Sequence, residues 1–134
     1  MQDEPAPHEI LSIVATFLRE EVMPALSGRT AFHVRVAANA VDLAARQAKL
    51  TPASNTAELA RLRALLASPS GDLAELNTEL TARIVRGEAD LSDPAVREHL
   101  WRTTLEKVAV DQPNYASYRR TLEEMRAPQS GEAP

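Results

Sequence analysis

Cysteine is absent from the 134 residues, so the chain offers no disulfide framework, no thiol nucleophile and no cysteine ligand for a metal. Aromatics make up only 4% of a chain that is 44% hydrophobic, so its core has to be built from Leu, Val, Ile and a large stock of alanine. That composition favours closely packed helices, because alanine is the best helix former and sheets draw on branched and aromatic residues. The four glycines, Gly28, Gly71, Gly87 and Gly131, are scattered, which removes any glycine-rich phosphate loop. No apolar run approaches the roughly 18 residues needed to cross a bilayer, and the opening "MQDEPAPHE" is acidic where a secretory signal is basic. A cytoplasmic location without membrane attachment is the expectation. A formal net charge of −4 and a pI near 5.4 argue against nucleic acid as the main partner, since phosphate neutralisation needs a basic face.

Charge is nevertheless uneven along the chain. Residues 1–26 carry Asp3, Glu4, Glu9, Glu20 and Glu21 against Arg19, whereas residues 27–50 carry Arg29, Arg35, Arg46 and Lys49 against Asp42. Complementary neighbours of this kind are expected to pack on each other.

Periodicity predicts an all-α, single-domain bundle of five or six mostly antiparallel helices over residues 1–126, followed by a disordered tail at 127–134. The first helix is expected from Pro7 to about Leu26, with Ile10, Val14, Phe17, Leu18 and Ala25 on one face, a kink or loosened turn at Pro24, and Gly28 as a left-handed stop. A second helix over 29–50 bears two apolar stripes on nearly opposite sides: Phe32, Val36, Leu43 and Leu50, and Val34, Ala37, Val41, Ala44 and Ala48. A helix of that kind is expected to lie sandwiched between others. "TPASN" reads as a turn, with Asn55 and Glu58 forming the capping box of a third helix over 56–67. Asp72 with Glu75 caps a fourth that runs to Gly87, Ser92 or Asp93 caps a fifth, and Asn114 caps a sixth.

Two polar features interrupt this pattern. On an ideal first helix Glu21 falls inside the apolar stripe, between the positions of Ile10 and Val14, where a lone carboxylate is costly. If the first two helices fold about Ser27-Gly28, Glu21 lies opposite residues 33–35 and pairs with His33 or Arg35. The cluster Glu21, Arg29, His33, Arg35 and Asn39 then either fixes the register of that hairpin or lines a cleft for an anionic or amide-bearing ligand. Further along, Arg97 shares the apolar sector of its helix with Leu100, Trp101 and Thr104. Either its stem covers Trp101, or Arg97 and Trp101 together face a partner protein. His8 and His99 fall on polar sectors.

No residue pattern nominates a nucleophile, a metal site or a cofactor, and the adjacent Glu20 and Glu21 diverge by roughly 100 degrees, too far to act as a dyad. No catalytic residue is assigned, and a stand-alone enzyme is the weaker expectation.

The stretch "FLREEVMPALSGRTAFHVRVAANAVDL", with its E-V-M-P turn and G-R-x-A-F-H-x-R-V-A-A-N-A helix start, resembles the N-terminal signature of a DUF6285-type family of small bacterial helical proteins. The resemblance covers about the first 50 residues. It implies the setting of a companion to an aminoglycoside-phosphotransferase-like kinase encoded beside an acyl-CoA dehydrogenase. The expected role is therefore that of a non-catalytic accessory subunit in acyl-CoA catabolism, with a kinase acting on hydroxyacyl-CoA as partner. A bundle that binds an acyl-CoA or carboxylic acid, or acts on it, and a self-associating structural module stand as alternatives.

Overall fold

A computed structural model describes residues 4–127, so the expected tail lies, beyond Ala127, outside the described residues. Five α-helices and no strand are found among them: α1 (Pro7–Phe17), α2 (Gly28–Leu66), α3 (Leu73–Val85), α4 (Pro94–Asp111) and α5 (Ala116–Arg126). The chain divides into two compact units, Met1–Ala60 and Arg61–Pro134, and the boundary falls inside α2.

In the first unit, α1 opens with Pro7 in its first turn, and the Ala6 N–H donates to Glu9 Oε2 at 2.7 Å. The α-helix stops at Phe17 and continues as a π turn over Leu18–Val22 and a 3-10 turn over Met23–Ala25. Pro24 accounts for this. It has no N–H for the Glu20 carbonyl, and its ring collides with that carbonyl in an ordinary α turn, so the preceding turn widens to i→i+5 closure. Gly28 then takes a left-handed φ of +60° where α2 begins.

The face read from periodicity is corrected as well. Ala15 is fully buried and Leu11 and Leu18 are half-buried, whereas Ile10, Val14 and Phe17 are exposed. On the first half of α2 the buried positions are Ala38 and Ala45, flanked by the half-buried Val34 and Val41. Small residues there allow close helix approach. The opposite stripe of Phe32, Val36 and Leu43 stays exposed, so one of the two apolar sides of this helix is left open rather than sandwiched.

α2 runs for 39 residues, about 58 Å at 1.5 Å per residue, with Pro52 in its interior. The expected turn at "TPASN" and the capping box at Asn55 are therefore overturned. A proline inside a helix costs about 3 kcal/mol, which the alanine-rich flanks and tertiary packing outweigh. Both Pro52 and Ala48, whose carbonyl loses its partner, are exposed, so water can take up the orphaned acceptor. Thr56 Oγ1 donates to the Pro52 carbonyl at 2.9 Å.

In the second unit the core is Leu62, Leu66, Leu76, Leu80 and Val96, with His99 buried among the polar residues. Asp72 and Glu75 form the expected reciprocal cap of α3, both bonds at 2.9 Å, and Gly87 is left-handed just past its end. Asp93 caps α4 by accepting from the Ala95 N–H at 2.8 Å. The start of α5 differs from expectation: Tyr115 rather than Asn114 occupies the capping position, and no side chain caps it.

Candidate functional site

Four of the residues singled out in the sequence lie together on the first turns of α2. Arg29, His33, Arg35 and Asn39 are all exposed, on the side of the helix that carries Phe32 and Val36. The Arg35 guanidinium lies over the Phe32 ring at 5.4 Å from its centroid, and the His33 ring stands tilted beside Phe32 at 6.0 Å. Among the described residues no carboxylate pairs with Arg29, His33 or Arg35. The result is a cationic and aromatic surface open to solvent.

Glu21 is not part of it. Its side chain is exposed beside Glu20, on a shallow depression lined also by Ser12, Ile13, Thr16 and Phe17. The expected pairing with His33 or Arg35 is replaced by another. The stripe of Ile10, Val14 and Phe17 that Glu21 accompanies is itself exposed, and Arg19 reaches α2 instead, donating to Asp42 Oδ2 at 2.6 Å and to Asn39 Oδ1 at 3.3 Å. The link between the two segments thus runs opposite to their net charges: the one arginine of residues 1–26 meets the one carboxylate of residues 27–50.

The second unit holds a polar cluster that sequence reasoning missed. Arg61 Nη1 and Nη2 donate to Glu106 Oε1 and Oε2 at 2.9 and 2.7 Å, and Nη2 also reaches Thr103 Oγ1 at 3.4 Å. The two side chains are 20% and 25% exposed, and the Arg61 Nε is buried without a hydrogen-bond partner. His99, placed on a polar sector by its sequence neighbours, is 3% exposed. Val96, His99, Thr103 and Glu106 follow a three-four-three spacing, the inward stripe of α4. Three of the four are polar, so a hydropathy pattern turns that stripe towards solvent.

Arg97 and Trp101 lie beside this stripe and face outward. Arg97 Nη1 donates to the Leu91 carbonyl at 3.1 Å, with no carboxylate partner among the described residues. Trp101 is 48% exposed, so the arginine stem does not cover it. Trp101, Thr104, Leu105 and Val108 of α4 and Tyr115, Ser117, Tyr118 and Thr121 form a slot of about 180 Å³ whose walls are almost wholly apolar.

Shifted titrations concentrate elsewhere, in the connection from α3 to α4. The Arg86 guanidinium, bonded to Glu88 at 2.7 and 2.8 Å, holds the Glu88 carboxyl below the usual range, and Glu88 in turn raises Arg86. Hydrogen bonds from the Ser92 hydroxyl and N–H lower Asp90. No group of three metal-ligating side chains occurs among the described residues, and no described helix is long and apolar enough to cross a membrane.

No curated protein and no solved structure matches the chain. Residues 24–115 match a family described as a domain of unknown function, DUF6285. The match takes in the cationic turns of α2, the Arg61–Glu106 pair and most of the aromatic slot, and extends well past the first 50 residues that carry the resemblance in the sequence. Covering more than half of the chain, it establishes that the protein belongs to the DUF6285 family.

Proposed function

We propose that the protein is a non-catalytic docking subunit, and that the first turns of α2 are the surface it offers to a partner. The observation that carries this is the Arg35 guanidinium stacked on the exposed Phe32, with Arg29 and His33 alongside and no carboxylate of the described residues engaging them. Arginine and aromatic side chains dominate the energetics of protein interfaces, because they combine a large apolar area with directional donors. A surface of this type suits a partner patch with carboxylates around an apolar centre. The resemblance supplies the candidate: a phosphotransferase-like kinase of acyl-CoA catabolism, with an acyl-CoA dehydrogenase as a second candidate. In such a pair the phosphate-binding and catalytic groups reside in the kinase.

Co-expression of the full chain with a phosphotransferase-like kinase from the same genome tests the proposal. The two proteins are expected to co-purify, and a Phe32→Ser, Arg35→Glu double variant is expected to weaken the complex by at least about tenfold. Both positions are exposed, so its circular dichroism is expected to match the wild type. A kinase that neither binds the chain nor changes activity in its presence would refute the proposal.

Self-association, the alternative that a separate observation favours, involves other surfaces.

A further inference from the structure

We propose that a second copy of this chain docks the outer stripe of its α1 into the aromatic slot between α4 and α5. This is independent of the partner surface on α2. The stripe consists of Ile10, Ile13, Val14 and Phe17, exposed by 48%, 66%, 42% and 55%. Their spacing of i, i+3, i+4 and i+7 is that of a helix that lays its apolar face into a groove. The chain contains a groove of matching kind. Trp101 and Tyr115 at the slot are 48% and 54% exposed, and Leu105, Val108 and Tyr118 complete its apolar wall.

Three considerations select this occupant. At about 180 Å³ the slot is smaller than the roughly 300 Å³ at which small-molecule sites begin, and suits one ring with the methyl groups beside it. The aromatic residues are segregated accordingly: both phenylalanines are exposed in the first unit, whereas the single tryptophan and both tyrosines line the slot in the second. Charge is complementary too. Glu20 and Glu21 border Phe17 with no cation paired to them among the described residues, and Arg97 lies one turn before Trp101 with no carboxylate. Stacking one α1 directly on another would instead crowd Glu9, Glu20 and Glu21 of both copies, and the same acids disfavour an anionic lipid surface.

Docking of stripe on slot is a small contact, so the association is expected to be weak and concentration-dependent. Sedimentation of the full chain over about two decades of concentration is expected to show mass rising to twice the monomer or beyond. Trp101 is the sole tryptophan, so its emission is expected to shift to the blue in step with the mass. Phe17→Ser is expected to weaken association at least about tenfold, whereas Phe32→Ser leaves it unchanged. Glu21→Arg and Arg97→Glu are each expected to weaken it, and their combination to restore it. A monomer at every concentration would overturn the proposal, as would association without change in Trp101 emission, association indifferent to Phe17→Ser or equally sensitive to Phe32→Ser, or charge reversals that fail to compensate.

Discussion

Arg61 and Glu106, 45 positions apart, meet through two parallel N–H···O bonds of 2.9 and 2.7 Å, a fork-to-fork geometry that ties the C-terminal part of α2 to α4. Both side chains are about three-quarters withdrawn from water, so the pair contributes mainly by not being broken. Glu106→Ala is expected to destabilise the protein by about 2–4 kcal/mol, because it leaves the guanidinium uncompensated. Replacing both residues with apolar ones of similar volume is expected to cost far less. Urea unfolding of the two single variants and the double variant measures this. Equal costs for all three would contradict it.

The exposure of Glu21 predicts that Glu21→Gln leaves stability within about 0.5 kcal/mol of wild type. Arg19→Ala removes the pair to Asp42 and is expected to cost up to about 1 kcal/mol, the usual ceiling for a half-exposed ion pair. Thermal melts of the two variants decide between this register and the one in which Glu21 is buried, for which the order of the costs is reversed.

Continuity of α2 through Pro52 predicts that Pro52→Ala stabilises the chain, by about 1–3 kcal/mol, since it restores an N–H donor to Ala48 and removes the ring clash. In a turn the same substitution would be neutral or harmful. Chemical denaturation of the variant, with helix content read from far-ultraviolet circular dichroism, gives the answer.

Acid is expected to loosen the connection between α3 and α4 as Glu88 and Asp90 take up protons. Glu88 and Asp90 are both depressed in the folded state, so the stability they add is present above their unfolded pKa values and is lost as pH falls through the folded ones. Amide chemical shifts of residues 86–93 followed from neutral pH to acid are expected to move together below the ordinary carboxylate range. Glu88→Gln is expected to abolish the part due to the Arg86 contact.

Element type was legible in the sequence where caps and breakers act locally. Pro7, Pro24, Gly28, the Asp72–Glu75 box, Gly87 and Asp93 all mark what they were expected to mark, because each acts on backbone within four residues of itself. Pro52 shows the limit: its local signal to stop was outweighed by neighbouring helix formers. Orientation was less legible than existence. The stripe that Glu21 accompanies faces outward rather than inward, and an inward face of α4 carrying His99, Thr103 and Glu106 looked polar from composition alone. The cations at the start of α2 were found, since Arg29, His33 and Arg35 stand out from a run of small residues. The Arg61–Glu106 pair was not, because nothing short-range links residues so far apart.

The boundary between Ala60 and Arg61 lies inside an unbroken helix, whereas chains are usually cut and recombined at pliable, solvent-exposed linkers. A gene rearrangement that parted the halves there would strip the last carbonyls of one piece and the first amides of the other of their partners. The 24–115 span matched by the family lies across that junction.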